Sequence, residues 1–420
     1  MTPSRHASGA SLEKRQALRR KESVLCRSPV QRRSKSMKMP LIALLVTATA
    51  VIAGCGGGDD SNSTQSSTPS TTTPVNSKLL TNIAVPNATS PAFSFDIGYT
   101  EAGRYYLADR NNKAVDVVDT KSNTLIAQIT GSFTGAGAST DVSGPDGIVG
   151  ITGTNTLFVG DVDSIKVVDT AALKTVKTIP VSTSGSRVDE GCYDPDDHLV
   201  MFASPGETPP FATFISTTTQ TIVSKLVFNG SSGLEACTYD STTKSFYINN
   251  DGTTAHPDGE LDVITAKSVT AGAPVVSKAF ALDKCSPTGI ALGPNSDVLV
   301  GCDPSAGSPL ITLILDRNTG AQLASVPFGG TDQVTYDPAS NRYFLPARHY
   351  VASGTAASSG FSPQMGVIDG TTRQLLYKVP VGAGAHSVAV DSGLGEVYVP
   401  FQASTSTAFP NGGISVFATK

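Results

Sequence analysis

The clearest copy of a recurring sequence pattern is GIVGITGTNTLFVGD (residues 147–161), followed by IKVVDTAALKTVKTIPV (residues 165–181). Each copy has a short apolar run, a tight polar turn and a second apolar run, and then a loop leads to a third run that ends in Asp. SVAVDSGLGEVYVPF (residues 387–401), followed by GISVF (residues 413–417), repeats the pattern near the C terminus. Because a fixed period of this kind marks a repeat architecture, the chain from about residue 93 onward is predicted to be one array.

The second apolar run is the most regular part of the repeat and begins at seven positions, about 43 to 54 residues apart: Tyr105, Leu157, Val200, Phe246, Val298, Tyr343 and Val397. That spacing has room for four short strands and shows no helix-length 3.6-residue periodicity, so the array is predicted to be all-β. Four-stranded units at this period are typical of β-propeller blades. We therefore predict a seven-bladed propeller. Eight blades stay open, because residues 130–143 have room for irregular strands.

The last repeat stops after its third strand, ISVF (residues 414–417), and lacks a fourth. LLTNIAV (residues 79–85) has the pattern of a fourth strand, as in TVKTIPV. We expect this N-terminal strand to complete the last blade, since ring closure removes two exposed sheet edges. The propeller domain is therefore predicted to span residues 79–420.

The segment before the propeller indicates export. An apolar run at residues 39–54 follows a basic stretch, which is the layout of a signal peptide. It ends in Ile-Ala-Gly-Cys at residues 52–55, which resembles the lipobox of bacterial lipoproteins and implies lipidation of Cys55. Residues 1–54 are thus predicted to be a discarded leader and signal peptide, with a start codon at Met37 or Met39. Residues 55–78 are predicted to be the lipidated Cys and a disordered Gly/Ser/Thr linker.

The resemblance to lipoproteins also implies a cellular location. We expect a lipid-anchored protein of the bacterial cell envelope, in contact with the membrane through the lipid on Cys55. Gly56 rather than Asp follows this Cys, which by resemblance to enterobacterial sorting implies the outer membrane, facing the periplasm.

The third and fourth strands of three copies carry a second resemblance. VDVVDTKSNTLIAQI (residues 115–129), the segment at residues 165–181 and MGVIDGTTRQLLYKVPVG (residues 365–382) resemble the repeats of YVTN-type propellers, over most of residues 80–420. The tetrapeptide that names the repeat is absent. The resemblance implies a propeller that serves as a binding module of the bacterial envelope, and relatives of this kind include lactonases.

Charge excludes one class of partner. Residues 1–54 hold 11 Lys or Arg and 2 acids, which leaves 20 basic and 33 acidic residues from Cys55 onward. This net charge of about −13 argues against nucleic acid and favours a cationic ligand or simple solubility. We expect a monomer whose protein or small-molecule partner the sequence does not identify.

Four cysteines remain once Cys55 and the leader are set aside, an even number that suits an oxidising envelope. Cys285 and Cys302 flank one hairpin and are predicted to form a disulfide. Cys192 and Cys237 occupy the same first-strand position in neighbouring blades. They are candidates for a second bridge if their Cα atoms approach within about 4.4–6.8 Å, and otherwise are packed thiols.

The entrances to the first strands are predicted to converge on the mouth of the central channel. Aligning the copies on the Asp of the hairpin turn places Glu190 or Asp189, Glu235, Asp332 and His386 at equivalent positions, and Asp146 and Asp96 are expected beside them. Carboxylates held together repel, which raises pKa values or recruits a cation. The sharper hypothesis is a divalent Ca²⁺ or Zn²⁺ site at Glu235 and Asp332. The alternatives are a water-filled acidic funnel, or an enzyme in which one acid is the base and His386 shuttles the proton.

The loops between second and third strands are long on this same face, here called the top face, and long loops on a rigid ring commonly bind ligands. One of them carries Arg348 and His349, which are candidates for contacting an anion. We expect an envelope-anchored binding or scaffold lipoprotein that presents this acidic mouth to a small ligand, cation or protein partner. The alternative is a lactonase-like hydrolase with a divalent metal there. Whether the protein is an enzyme stays open, with binding preferred.

Overall fold

The computed structural model describes residues 76–89 and 93–420. The predicted signal peptide, Cys55 and the linker up to residue 75 lie outside the described residues. Within the described part, no helix has the length and apolar character needed to cross a membrane. The predicted domain boundary at residue 79 coincides with the first residue of the first described strand.

The described chain forms 28 strands in seven four-stranded antiparallel sheets. Blade 1 consists of β2 (Phe95–Glu101), β3 (Arg104–Asp109), β4 (Ala114–Asp119) and β5 (Thr124–Ile129), and blade 2 of β6 (Ile148–Gly150), β7 (Thr156–Asp161), β8 (Ser164–Asp169) and β9 (Lys174–Pro180). Blade 3 consists of β10 (Gly191–Asp194), β11 (Leu199–Ser204), β12 (Phe211–Ser216) and β13 (Thr221–Val227), and blade 4 of β14 (Leu234–Asp240), β15 (Ser245–Asn250), β16 (Glu260–Thr265) and β17 (Val276–Ala281). Blade 5 consists of β18 (Pro287–Leu292), β19 (Asp297–Cys302), β20 (Thr312–Asp316) and β21 (Gln322–Val326), and blade 6 of β22 (Thr335–Asp337), β23 (Arg342–Ala347), β24 (Gln364–Asp369) and β25 (Leu375–Pro380). Blade 7 consists of β26 (Ala389–Asp391), β27 (Glu396–Phe401), β28 (Gly413–Ala418) and the N-terminal strand β1 (Leu79–Ala84). A short helix, α1 (Ala266–Thr270), follows β16.

The N-terminal strand closes the ring. β1 pairs antiparallel with β28, with Asn82 opposite Ser415 and Ile83 opposite Ile414, and the innermost strands of blades 7 and 1 are in contact. The predicted seven-bladed propeller and its closure by the N-terminal strand are therefore confirmed. Residues 130–143 contribute a 3-10 helix (Thr140–Val142) and one isolated bridge from Gly135 rather than an eighth blade.

Where the third strand of a blade ends in Asp, that Asp caps the turn to the fourth strand; β12 and β16 end instead in Ser216 and Thr265. Asp169 accepts hydrogen bonds from the backbone N–H groups of Ala171 and Ala172, both at 2.9 Å, and Leu173 then adopts φ 51°. Asp369 does the same for its turn, with Arg373 at φ 58°. A short carboxylate that binds its own turn is the usual Asx geometry, which explains why Asp recurs at this position of the repeat.

The core consists of apolar layers between neighbouring blades. β7 and β8 are buried along nearly their whole length because blades pack against both of their faces, whereas β9 at the rim alternates between exposed residues and residues that are mostly only partly buried. Large aromatic side chains fill the layers in this Trp-free chain; the rings of Tyr105 in blade 1 and Tyr398 in blade 7 stack at 4.9 Å. This packing fixes the ring that positions the site described next.

A candidate binding site at the channel mouth

A cavity of about 590 Å³ opens where the first strands begin. Its wall includes one side chain from the first-strand entrance of six different blades: Asp96, Glu190, Glu235, Thr288, Asp332 and His386. Loops of the top face add the rest of the wall, among them Phe361 from the loop after β23 and Gln402 from the loop after β27. A rigid ring with a polar, loop-rimmed cavity is an arrangement suited to ligand binding.

In three blades a β-bulge delivers the wall residue. Phe95 pairs with Asp109 and Gly98 with Leu107, so Asp96 and its neighbour oppose a single residue of β3. The same register shift occurs at Glu235 in β14 and at Thr288 in β18. A bulge leaves one residue out of the ladder and re-aims its side chain, which explains how these residues reach the channel. In the other blades the equivalent residues lie one to three positions before the first strand.

Arg110 joins two of the predicted acids across a blade interface. Its Nη2 atom lies 2.6 Å from Asp96 Oδ2, and its Nε atom donates to Asp146 Oδ1 at 2.8 Å. Burial opposes ionisation of both acids, but Arg110 and His386 outweigh it at Asp96 and lower the pKa of that carboxyl. At Asp146 burial prevails and, with the neighbouring carboxylates, raises the pKa well above its usual range. One guanidinium thus contacts two carboxyl groups whose pKa values shift in opposite directions.

Three further acids, here called the carboxylate triad, are Glu190, Glu235 and Asp332. One carboxylate oxygen from each of the three residues lies within 4.8 Å of those of the other two. Arg348 Nη1 lies 2.8 Å from Asp332 Oδ2, and the side-chain amide of Gln333 donates to Glu190. Burial, and then repulsion by the neighbouring acids, raises the pKa of Glu190 and of Glu235 well above the usual value. Each of these groups therefore binds a proton, or a cation in its place, more tightly than an isolated carboxylate does.

Two more acidic residues lie close to the carboxylate triad. Arg187 Nη2 lies 2.9 Å from Asp189 Oδ2, yet burial raises the pKa of Asp189 to about 7. Burial likewise raises the pKa of Asp251 to about 6. The mouth therefore holds more carboxyl groups than guanidinium groups: Asp96, Asp146, Asp189, Glu190, Glu235, Asp251 and Asp332 against Arg110, Arg187 and Arg348. Because carboxyl groups outnumber guanidinium groups, the buried carboxylates are stable only when some of them bind protons or a cation.

Two histidines border the cavity. His386 Nδ1 donates to the Gly384 carbonyl at 2.6 Å, and its Nε2 lies 3.5 Å from Asp96 Oδ1. The ring also stacks on Phe95 at a centroid distance of 4.6 Å. His349 Nδ1 lies 2.7 Å from Asp303 Oδ2. Both rings are thus oriented by a partner at one nitrogen.

The predicted residues do not all occupy the same environment. Asp96, Glu190, Glu235, Asp332, His386, Arg348 and His349 line the cavity, whereas Asp146 is fully buried behind Arg110. Arg348 and His349, considered above as contacts for an anion, are instead paired with Asp332 and Asp303.

Sequence analysis missed Arg110, Arg187 and Thr288. Arg110 directly follows the second run YYLAD as Arg348 follows YFLPA, so the same repeat alignment contained the signal for it. Thr288 occupies the bulge position at which β2 and β14 have an acidic residue. Because Thr is uncharged, an alignment that considers only charged residues does not identify it. Nothing comparable in the repeat marks Arg187.

Two disulfides lie near the mouth. Cys192 and Cys237, with Cα atoms 5.7 Å apart, join β10 of blade 3 to β14 of blade 4. Cys285 and Cys302, with Cα atoms 4.8 Å apart, join the start and end of the first hairpin of blade 5. The first bridge crosses between blades, and the second stays within one.

Comparisons with known proteins identify the fold alone. No family model matches the chain, and no curated protein matches it. Among solved structures, a chain of "Crystal Structure of Mitotic Checkpoint Complex" is similar, with a TM-score of 0.60 and 10% sequence identity, over 82% of this chain and 96% of that chain. At this identity the similarity shows a shared propeller architecture and carries no function.

Proposed function

We propose that the protein is a binding protein whose ligand site is the cavity at the channel mouth, and that the ligand is a cation or carries a cationic group. The observation that carries the proposal is the carboxylate triad. Three carboxylates with oxygens within 4.8 Å of one another face a cavity, with one paired guanidinium beside them. Such a group is stable only with bound protons or a bound cation.

A divalent metal ion is the simplest occupant. Glu190, Glu235 and Asp332 offer carboxylate oxygens, and these with cavity water meet the requirements of Ca²⁺, which takes 6–8 oxygen ligands. Zn²⁺ generally adds His nitrogen or Cys sulfur to such a set, and the triad contains neither. The donor set therefore favours Ca²⁺, with Zn²⁺ as the natural comparison.

The proposed setting is the bacterial cell envelope. Lipidation of Cys55 is supported by the lipobox resemblance, and about 20 linker residues after it give an average reach on the order of 25 Å if flexible. A propeller held at that distance stands clear of the lipid headgroups, and its top face is then accessible to a diffusing ligand or to a protein partner.

The hydrolase alternative needs a base within reach of a bound ester. His386 is the nearest candidate, but its free nitrogen faces Asp96 and its other nitrogen is held by a backbone carbonyl. No observation favours hydrolysis over binding.

Calorimetric titration of Ca²⁺ and Zn²⁺ into chelator-stripped protein tests the proposal. Wild type is expected to bind, and Glu235→Gln/Asp332→Asn is expected to lose binding while remaining folded. The matched control is Glu207→Gln/Asp258→Asn, which removes the same two charges from top-face loops outside the cavity wall and should bind like wild type. A wild type that binds neither ion, or a site variant that binds normally, contradicts the proposal.

A further inference from the structure

The disulfide between blades 3 and 4 lies next to the triad along both chains. Cys192 is two residues after Glu190, and Cys237 is two residues after Glu235 in β14. The bridge holds the two Cα atoms 5.7 Å apart. A covalent link therefore sits at the bases of the two strand entrances that carry neighbouring acids of the cavity.

This blade interface differs from the others at the mouth. At the other interfaces a hydrogen bond or ion pair connects the first-strand entrance of one blade to the entrance, or to the second strand or its end, of the neighbouring blade. Examples are Arg110 Nε to Asp146 at 2.8 Å, Asn249 Nδ2 to the Thr288 carbonyl at 2.7 Å and Gln333 N to the His386 carbonyl at 2.8 Å. Among the described residues, no such bond connects the entrances that bear Glu190 and Glu235. The side chain of Glu190 bonds instead to Gln333 in blade 6.

Electrostatics at this interface favours separation. Glu190 and Glu235 are like-charged when ionised, and Asp332 adds a third negative group. Repulsion between carboxylates at this spacing in a partly buried site is substantial. The Gln333 amide donates to Glu190 and the charge of Arg187 acts on Glu235, but no donor among the described residues bridges the two glutamates. Noncovalent packing between two blades resists separation by such repulsion less than a covalent bond does.

We propose that the Cys192–Cys237 disulfide is the positioning element that holds Glu190 and Glu235 side by side in the triad. Two measurements test this role. The effect on ligand affinity rests on the proposed function, whereas the effect on the titration of the two glutamates does not. The bridge touches no ligand and acts through the two glutamates.

The test compares Cys192→Ser/Cys237→Ser with Cys285→Ser/Cys302→Ser, which removes the other disulfide as a matched control. Only six Glu residues follow Cys55, so protein labelled with ¹³C at the Glu carboxyl groups gives few resonances: Glu101, Glu190, Glu207, Glu235, Glu260 and Glu396. Titration of these resonances with pH reports the proximity of Glu190 and Glu235 without any ligand. Calorimetry with Ca²⁺ reports affinity in the same proteins.

Loss of the Cys192–Cys237 bridge is expected to lower the pKa of Glu190 and Glu235 toward the ordinary value as the entrances separate, and to weaken Ca²⁺ binding about tenfold or more, as removal of a group that orients a metal ligand does. The control pair should leave both readouts at wild-type values. Unchanged titration of both glutamates in the Cys192/Cys237 variant overturns the inference. If wild type binds no Ca²⁺ but the titration shifts, the positioning role stands and the proposed function fails.

A second route covers failure of the variant to fold. In folded Cys285→Ser/Cys302→Ser protein the Cys192–Cys237 bridge is the one disulfide left among the described residues, and a phosphine reductant then opens it. The same downward shift of the two glutamate titrations is expected on reduction, and an unchanged titration after complete reduction overturns the inference.

Discussion

Arg110 Nη2 lies 2.6 Å from Asp96 Oδ2, and both side chains are almost completely buried. Because the same guanidinium also reaches Asp146 in the next blade, one residue neutralises charge in two blades and connects their entrances. The mouth is thus a network in which acids outnumber bases, and the predictions below follow from that imbalance.

Removal of this guanidinium should be strongly destabilising. Arg110→Met leaves buried carboxyl groups without their cation, a change that generally costs about 3–5 kcal/mol. We expect urea unfolding at neutral pH to show this loss. The deficit should narrow as the pH falls below about 4, because the unfolded chain gains protons there while Asp96, whose pKa despite burial is lowered by Arg110, stays ionised in folded wild type. Arg104→Met is the control, because its partner Asp119 is on the surface and little change is expected. An Arg110→Met protein as stable as wild type would contradict the network.

Without added cations, stability should fall as the pH rises through the neutral range. Burial raises the pKa of Asp189 to about 7 and that of Asp251 to about 6, and it raises those of Glu190 and Glu235 well above the usual value. A carboxyl group with a raised folded pKa binds protons more tightly when folded, so its stabilisation is complete below its unfolded pKa of about 4 and is lost as the pH passes the folded value.

Urea unfolding between pH 5 and pH 8 measures this dependence, and a decrease on the order of 2 kcal/mol in the free energy of unfolding is expected. The slope should be smaller for Glu235→Gln/Asp332→Asn, which removes two of the interacting acids. Stability that is constant or increases over this range would show that the acids are not held in their protonated forms.

Part of this account follows from the repeat alone. The seven second runs match seven second strands, and the apolar pattern of residues 79–85 predicts the strand that pairs with β28. Alignment on the turn Asp also places Glu235, Asp332 and His386 on one channel mouth, because equivalent repeat positions fall on one circle of the ring.

Tertiary detail was beyond the sequence. The bulges at Asp96 and Glu235 depend on register between strands, which the apolar pattern fixes only to within a residue. Pairing of Arg187 with Asp189 depends on how a loop folds back, and the distance between Cys192 and Cys237 depends on the curvature of the ring. Local patterns therefore place the acids but do not reveal what neutralises them or holds them in position.

Ring closure should depend on residues 79–85. Ile83 and Val85 are buried, and β1 supplies the hydrogen-bonding partner of β28. A protein that begins at residue 76 is expected to melt like one that begins at residue 56, whereas a start at residue 86 exposes the β28 edge and should lower the melting temperature and promote aggregation. Equal melting temperatures for the three proteins would refute the closure.

Lipid attachment at Cys55 remains a prediction from the sequence. Cys55→Ser should move the protein from the membrane fraction to the soluble fraction, because the lipid is the proposed anchor. Metabolic labelling with palmitate should mark wild type and leave Cys55→Ser unlabelled. An unlabelled wild type would contradict lipidation, and the propeller itself should melt at the same temperature in both proteins.

The most direct test of a cation site in the triad is the number of protons released when Ca²⁺ binds. Burial and the neighbouring acids raise the pKa of Glu190 and of Glu235, so a cation that coordinates them must displace protons wherever the pH lies below those raised values. Calorimetric titrations in buffers with different ionisation heats measure that number, and the account predicts release of roughly one proton or more per ion. Absence of binding, or binding without proton release, would contradict it.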